Sequence, residues 1–454
     1  MSSHTTQTYY SGCNQHLLAA VPASARTIIE VGCGNAALGL ALKKQRTDRT
    51  VIGLEIVPEA AQQAAAVIDR AIVIDIEKEV PDIEPHSIDC IIFGDVLEHL
   101  INPGAVLRRY KQLVKPDGMV LCSIPNLQHF SAITQILMGN FQYADNGLLD
   151  HSHLRFFTYA TALKLFLDAG YEPSIIECVE APAPQSWINA ILPLTQGLGV
   201  DTARTAKYLN TYQMIVAGRS SSRASLSSDH ANEAVTIVTC VTDDIAYQTN
   251  LRASPCLQNS IHEIITGAAT AGIAATYNKG IASAKNDLVV CVRQDIYLPA
   301  GWIDAAVSQY RLIEATHGPI GIAGIYGVVD VDGLVQRAGK IVERDSFFSE
   351  PAVLPVRAQS LDDVLFILPR NTPLWFDPTL GNHLFGADIS LTAQKAGLSV
   401  WILDLLCILN TKAGDALPAP FVQSAQTFAA KWKTRLPIAT AYAAIESSGE
   451  VHQW

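Results

Sequence analysis

Short apolar runs recur along this chain, each ending on an acid or a glycine and each followed by residues with helical spacing. In the first half the pattern predicts buried strands at TIIEV (27–31), TVIGLEIV (50–57), AIVID (71–75), IDCIIFG (from 88) and MVLCSIPN (119–126). Between them lie helical patterns at 36–44, in an alanine-rich stretch reaching Arg70, and at 105–114. Strands alternating with helices, with polar residues gathered at strand ends, describe a doubly wound α/β sheet that binds ligands along its carboxyl edge. SIIECVEA (174–181) and YQMIVAGR (212–219) supply two further strands, and the insertion between them presents Trp187 and Ile188 as exposed-looking residues. That insertion reads as a packing helix first, and as an acceptor cover or a peripheral membrane contact second.

The pattern then stops and restarts. SSSRASLSSDHANE (220–233) is polar, serine-rich and without apolar periodicity, which predicts a linker. A second series follows, with strands at AVTIVTCV (234–241), HEIITG (262–267) and 288–292, the last running into Gln294 and Asp295. Two α/β domains are expected, 1–219 and 234–454, and 454 residues exceed what one core usually serves.

Composition narrows the partners. A formal net charge of -11 and the lack of a lysine or arginine cluster argue against nucleic acid and leave small-molecule or glycan substrates. The nine cysteines are odd in number, several sit inside apolar runs (Cys90, Cys122, Cys291), and none forms a CxxC pair. They read as buried thiols of a reducing compartment rather than zinc ligands. The start lacks a signal peptide and no long apolar run spans a membrane, so a cytoplasmic location is expected, with the inner face of the membrane as its variant.

Candidate chemistry starts at EVGCGNAALG. Gly32 and Gly34 lie in a strand-to-helix turn where missing side chains let the backbone approach a ligand. With Gly39 they give GxGxxxxG rather than the GxGxxG of dinucleotide sites, and Glu30 would repel a phosphate while suiting an ammonium group. That combination points to S-adenosylmethionine. Glu55, about twenty residues beyond the glycines, is placed to accept from both ribose hydroxyls, or else only caps the next helix. Asp75, at the end of the third strand, is either an adenine ligand or a surface acid.

EVGCG, Glu55, DVLEHL, the KPDG turn and SIPN, in that order over residues 27–126, resemble the class I S-adenosylmethionine-dependent methyltransferases. The resemblance implies a Rossmann-like sheet closed by an antiparallel hairpin, Glu30, Gly32 and Gly34 around the methionine part, Glu55 at ribose, Asp75 at adenine and Asp95 beneath the sulfonium. GLLDHSHLRFFT resembles a segment of methyltransferases of bacterial surface polysaccharide and lipopolysaccharide synthesis, where it overhangs the acceptor pocket. His151 and Arg155 are therefore acceptor-side candidates, and His153 and His99 are candidate catalytic bases. The alternative is that His153 and Arg155 cap and orient the helix near Tyr159.

In the second half, YNKGIASAK, RQDIYLPAGW, LDDVLF, HLFGADISLTAQKAGL and FAAKW, in order, resemble GT-A glycosyltransferases of the family 2 type, closest to the streptomycin-biosynthesis branch. This implies a nucleotide-sugar site with Asp243 or Asp244 near the base, Asp295 at the diphosphate and its Mg2+ or Mn2+, and Asp388 as the base of inverting transfer or an ordinary helix-start acid. The usual DxD is here QDI, and Asn410 stands where relatives often have a histidine. The expected whole is a bifunctional enzyme of bacterial surface glycan assembly, methylating a sugar or small-molecule hydroxyl and adding a sugar. Its rivals are a methyltransferase of small metabolites and a methyltransferase joined to a non-catalytic glycan- or nucleotide-sugar-binding module.

Overall fold

The computed structural model describes residues 12–453 except 198–199, 201, 221–232, 259–260, 269, 271, 412–416, 418 and 447. The chain divides into two units, Met1–Ser222 and Arg223–Trp454. Almost all of the expected linker, 221–232 of 220–233, lies outside the described residues.

The first unit is built on α1 (Gln15–Ala20), β1 (Thr27–Val31), α2 (Ala37–Gln45), β2 (Thr50–Glu55), α3 (Pro58–Ala64), β3 (Arg70–Val73), β4 (Ile88–Gly94), α4 (Pro103–Tyr110), β5 (Val114–Pro125), α5 (Phe130–Leu137), α6 (Tyr159–Asp168), β6 (Tyr171–Glu180), α7 (Gln185–Gly197), α8 (Thr202–Asn210) and β7 (Thr211–Ser220). The strands form one seven-stranded sheet in the order β3-β2-β1-β4-β5-β7-β6. β1 to β5 pair in parallel, and β7 runs antiparallel to both β5 and β6. This is a Rossmann-like α/β sheet closed by an antiparallel hairpin.

Both faces of the sheet are buried, which explains why its strands read as continuous apolar runs. Alternate residues feed two separate cores. Ile29, Val31 and Phe93 pack with Tyr110, Phe166 and Tyr171 on one face, while Ile28, Cys90 and Ile92 pack with Leu17 and Leu42 on the other. The KPDG turn is a bulge inside β5, since pairing with β4 jumps from Ile88↔Val114 to Cys90↔Met119. The two directions of winding meet between β1 and β4, and the crevice at their carboxyl ends is where ligands bind such sheets.

The insertion after β6 forms α7 and α8, with Ile188 buried beside Ala183 and Leu209 and Trp187 packed edge-on against Phe130 at 6.3 Å. Both residues serve packing, which corrects their exposed look in the sequence. Among the described residues, no helix is long and apolar enough to cross a membrane. All nine cysteines are free thiols.

The second unit is a mixed α/β fold. Its largest sheet has seven strands in the order Val356–Arg357, Ser399–Ile402, Ile320–Gly324, Leu365–Pro369, Leu288–Val292, Val235–Val241 and Glu263–Ala268. Leu365–Pro369 runs antiparallel to both neighbours. Alternation again splits the strands between two cores, Val290 and Val292 on one side and Val289 and Cys291 on the other. Smaller sheets of six and three strands complete the unit.

Asn126, the last residue of SIPN, ties β5 to β7 from a fully buried position. Its amide donates to the carbonyls of Tyr208 (2.9 Å) and Thr211 (2.8 Å), and its oxygen accepts from the Gln128 amide (3.0 Å). Replacing it by alanine strands these groups in the core, so Asn126→Ala should destabilise the first unit by about 2–3 kcal/mol. Urea denaturation of the full chain should show the loss as a lowered midpoint for that unit's transition.

Candidate functional site

β1 ends on Glu30 and Val31, and the chain turns through Gly32 (φ 65°) and Gly34 (φ 52°) before Ala36 enters α2. At Gly32 a Cβ would meet Val96 at 2.7 Å, so both the backbone angle and the space demand glycine. Gly39, on the first turn of α2, leaves room for Glu30, since a Cβ there would come within 2.8 Å of the Glu30 Oε2. β4 ends on Gly94, and Asp95 follows in the left-handed region (φ 52°), a strained position for a non-glycine residue. The Asp95 amide donates to Ser123 Oγ at 2.9 Å, Ser123 Oγ returns a bond to the carboxylate at 3.1 Å, and Gln213 of β7 also donates to it.

Between these strand ends lies a cavity of about 350 Å³. Glu30, Gly32, Asp95, His99 and His153 all line it, together with Glu98 and Asp150. Among the described residues, no lysine or arginine is in its wall. Burial pushes the Glu30 carboxyl up to about 8, offset in part by a bond from the Gly39 amide. Asp95 and Glu98 are also raised by burial, Glu98 further by Asp95 beside it. Burial and then the neighbouring His153 hold His99 below the ordinary histidine range.

The loop after β5 is clasped to the turn of 3-10 helix Leu97–His99. The amides of Leu154 and Arg155 both donate to the Glu98 carbonyl, at 2.8 and 2.9 Å. The Arg155 guanidinium donates to the Ile101 carbonyl, with Nε at 3.1 Å. Asp150 accepts from the Ser152 amide (2.8 Å) and hydroxyl (2.6 Å), which outweighs its burial and leaves it below the usual carboxylate value. This clasp sets His99 and His153 edge to face, 4.8 Å between ring centres. One donor atom from each of Glu98, His99 and His153 lies within 4.8 Å of the other two, the one grouping of metal-ligating side chains found among the described residues.

Other predicted residues lie elsewhere. Gly34 is not in the cavity wall but donates its amide to Glu55 Oε2 at 2.8 Å, and Val57 donates to Oε1 at 3.0 Å. Glu55 is thus buried and braces the glycine loop from β2. Asp75 pairs with Lys78 at 2.8 Å, outside the cavity wall. His151 is half exposed, and its Nδ1 reaches the Ala144 carbonyl at 3.3 Å. Arg155 serves the clasp, and the helix near Tyr159 is capped by Thr158 rather than by His153 or Arg155. Glu98, Asp150 and Gln213 are the residues that sequence reasoning did not single out. Glu98 had a signal, standing three residues after Asp95 in DVLEHL; Gln213, from a distant strand, had none.

In the second unit Asp243 caps the helix Asp244–Thr249 through the Ala246 amide at 3.0 Å, and Asp244 is exposed. Asp295 does not stand open for a metal: its two oxygens accept from Arg293 Nε (2.9 Å) and Nη2 (2.7 Å), a bidentate pair that a cation would have to displace. Asp388, 1% exposed, accepts from Trp432 Nε1 (2.8 Å) and Lys431 Nζ (2.9 Å). Burial raises it despite these bonds. The cap of its helix is Asp363, which accepts from the amides of Leu384 and Gly386, both at 2.6 Å. Burial pushes Asp363 up to about 7 and its neighbour Asp362 up to about 6.

A family model described as a methyltransferase domain matches residues 6–174. The first unit is a class I S-adenosylmethionine-dependent methyltransferase domain. Among curated proteins, the ubiquinone biosynthesis O-methyltransferase of Neisseria meningitidis serogroup A is 27% identical over 155 residues, 32% of this chain and 64% of the relative. That of Paracidovorax citrulli is 30% identical over 111 residues, 23% of this chain and 46% of the relative. The match thus spans less than two thirds of these relatives' length. Solved structures include an S-adenosylmethionine-dependent methyltransferase from Aquifex aeolicus at 12% identity and TM-score 0.33, covering 48% of this chain and 99% of that one. A possible histamine N-methyltransferase from Thermotoga maritima gives 14% and 0.33, covering 45% and 86%.

The methyltransferase domain carries a pH signature at Glu30. Its carboxyl is raised from 4.5 to about 8, so the folded state holds the proton more tightly than the unfolded chain. The stability this confers is fully present below the unfolded value and is lost as pH rises through about 8. Glu30→Gln should flatten that loss. Denaturation of both proteins at pH 5 and pH 9 checks it, the wild type falling further than the variant between the two.

Proposed function

We propose that the methyltransferase domain moves the methyl group of S-adenosylmethionine to a hydroxyl oxygen of a sugar or small-molecule acceptor. The observation that carries this reading is the cavity at the β1/β4 crevice, walled by Glu30, Asp95, Glu98 and Asp150 with no lysine or arginine among the described residues. Such a wall repels phosphates and favours a ligand bearing an ammonium and a sulfonium. When bound, the donor supplies an electrophilic methyl carbon, and its sulfur keeps the electron pair of the broken S–C bond.

The chain's own residues align and deprotonate. Gly32 lets the backbone close on the donor, and Glu55, with lone pairs beyond those given to Gly34 and Val57, accepts from the ribose hydroxyls. Asp95 sits below the reacting centre, held by Ser123 and Gln213. His99, its pKa lowered, is neutral near pH 7 and able to take the hydroxyl proton, with His153 beside it. The relatives' printed activity supports oxygen as the accepting atom. Alignment supplies most of the rate, because the transfer needs nucleophile, carbon and sulfur in line.

The second unit we read as a GT-A-like module that binds a nucleotide sugar, on the order of its motifs. The bonds that already occupy Asp295 and Asp388 favour recruitment of a shared glycan acceptor over independent glycosyl transfer. Tethering would raise the acceptor's local concentration at the methylating site.

Labelled methyl donor with a panel of sugar and phenolic acceptors should give a labelled product, and failure across both classes would remove the proposal. In calorimetry, Glu55→Ala should weaken S-adenosylmethionine binding at least about tenfold, the worth of one charged hydrogen bond. Unchanged affinity would refute the ribose role. UDP, GDP and dTDP sugars should bind the full chain without metal-dependent hydrolysis; turnover would instead establish a second transferase.

A further inference from the structure

We infer that Glu98, His99 and His153 form a binding site for one divalent first-row transition cation of the Zn2+ or Mn2+ kind. Its part in methyl transfer rests on the function proposed above, whereas its occupancy does not.

Four independent observations converge on it. The donor atoms of the three side chains lie within 4.8 Å of one another. Three donors each about 2.1 Å from one ion stand at most about 3.6 Å apart, so closing on a cation draws the widest pair together by about an ångström, a movement that side-chain rotation supplies. Glu98 is 1% exposed and lines the cavity, yet neither of its oxygens has a hydrogen-bond partner. A buried carboxyl left so is costly in either protonation state, and a directly bound cation removes that cost.

Each histidine is anchored through one ring nitrogen. His99 presents Nδ1 to the Ser152 carbonyl at 3.3 Å and to Ser152 Oγ at 3.2 Å, whose own hydrogen goes to Asp150 at 2.6 Å, and His153 presents Nδ1 to the Leu148 carbonyl at 3.2 Å. Each carbonyl can only accept, so each ring carries its proton on Nδ1 and keeps the Nε2 lone pair for a ligand. Among the described residues no lysine or arginine lines the cavity wall, so none of them answers the Glu98 carboxyl.

The donor set selects the ion. Two imidazole nitrogens with one carboxylate suit zinc, manganese or iron, while magnesium and calcium prefer all-oxygen shells. Three protein ligands leave open positions, as catalytic sites do. An acceptor hydroxyl that took one would lose its proton more readily, the proton leaving to solvent water. Its oxygen lone pair would then form the new C–O bond as the S–C bond breaks with its electrons remaining on sulfur. In that case the histidines act as ligands, and the ion replaces them as the activator of the hydroxyl.

The test uses the untagged full chain, stripped with chelator and then titrated with Mn2+ while free Mn2+ is followed by electron paramagnetic resonance, and with Zn2+ by calorimetry. Wild type should bind one ion per chain. Glu98→Gln and His153→Gln should bind at least about a hundredfold more weakly, while His151→Gln, on the exposed neighbour outside the cluster, should bind as wild type. Far-ultraviolet circular dichroism of Glu98→Gln and His153→Gln that matches wild type would show the domain intact. A wild-type chain that takes up no ion, or variants that bind as wild type does, would overturn the site. As a measurement independent of any variant, Co2+ bound to wild type should show visible d–d bands of a nitrogen and oxygen site of low coordination number, and the spectrum of aqueous Co2+ alone would count against it. Ion binding with no methyl transfer to any acceptor would leave the site standing and sink the functional reading instead.

Discussion

Four carboxyls crowded at one crevice are the constraint on which the first unit turns. Glu30, Asp95, Glu98 and Asp150 face one cavity with no lysine or arginine in its wall among the described residues. Such an arrangement persists only if the rest of the domain over-determines it. The sheet order does so by setting the ends of β1 and β4 side by side. Ser123, Gln213 and the Gly39 amide then hold individual carboxyls in place. Protonation relieves part of the repulsion, and a cationic ligand would relieve the rest. The cavity is therefore described best by the charge of what it lacks.

The second unit handles buried charge in the opposite way. Asp295 is matched by a bidentate guanidinium, and Asp388 by Lys431 and an indole N–H. Asp363 spends its lone pairs on two backbone amides at a helix start. Satisfied carboxylates of this kind fix local geometry, whereas unsatisfied ones are poised for a ligand. The difference between the units lies in the partners of their acids and not in their number.

The architecture of the first unit was legible because its strands are buried on both faces and its turns are marked by glycine, so the period and the punctuation agree. β1, β4 and the helix after the glycines fall within a residue or two of the pattern, while the KPDG turn proved to be a bulge inside a strand. The site was legible where it is local. Glu30, Gly32 and Asp95 lie within the strand-end motifs that announce them, and His99 and His153 line the same cavity. What could not be read is what the fold brings from far away. Gln213 meets Asp95 across 118 positions of sequence, and Arg155 turns from the expected acceptor pocket to the Ile101 carbonyl because the clasp needs it there. Asp295 reads as an open strand-end acid until Arg293, two residues before it, is seen to fold back on it.

The clasp also explains how a partly buried histidine pair is anchored through one nitrogen of each ring. A loop held by its own side chains would have spent His99 and His153 on its closure. Here the closure rests first on backbone, the Leu154 and Arg155 amides on the Glu98 carbonyl, with the Arg155 and Asp150 side chains assisting. Each imidazole is then anchored through Nδ1, His99 by the Ser152 carbonyl and hydroxyl and His153 by the Leu148 carbonyl. Because the carbonyl that anchors the loop belongs to Glu98, the carboxyl of the same residue is pinned at the point where the two rings converge. Loop position and ligand position are in this way set by a single residue, and any shift of the loop that separated the rings from one another would also break the bonds that hold it.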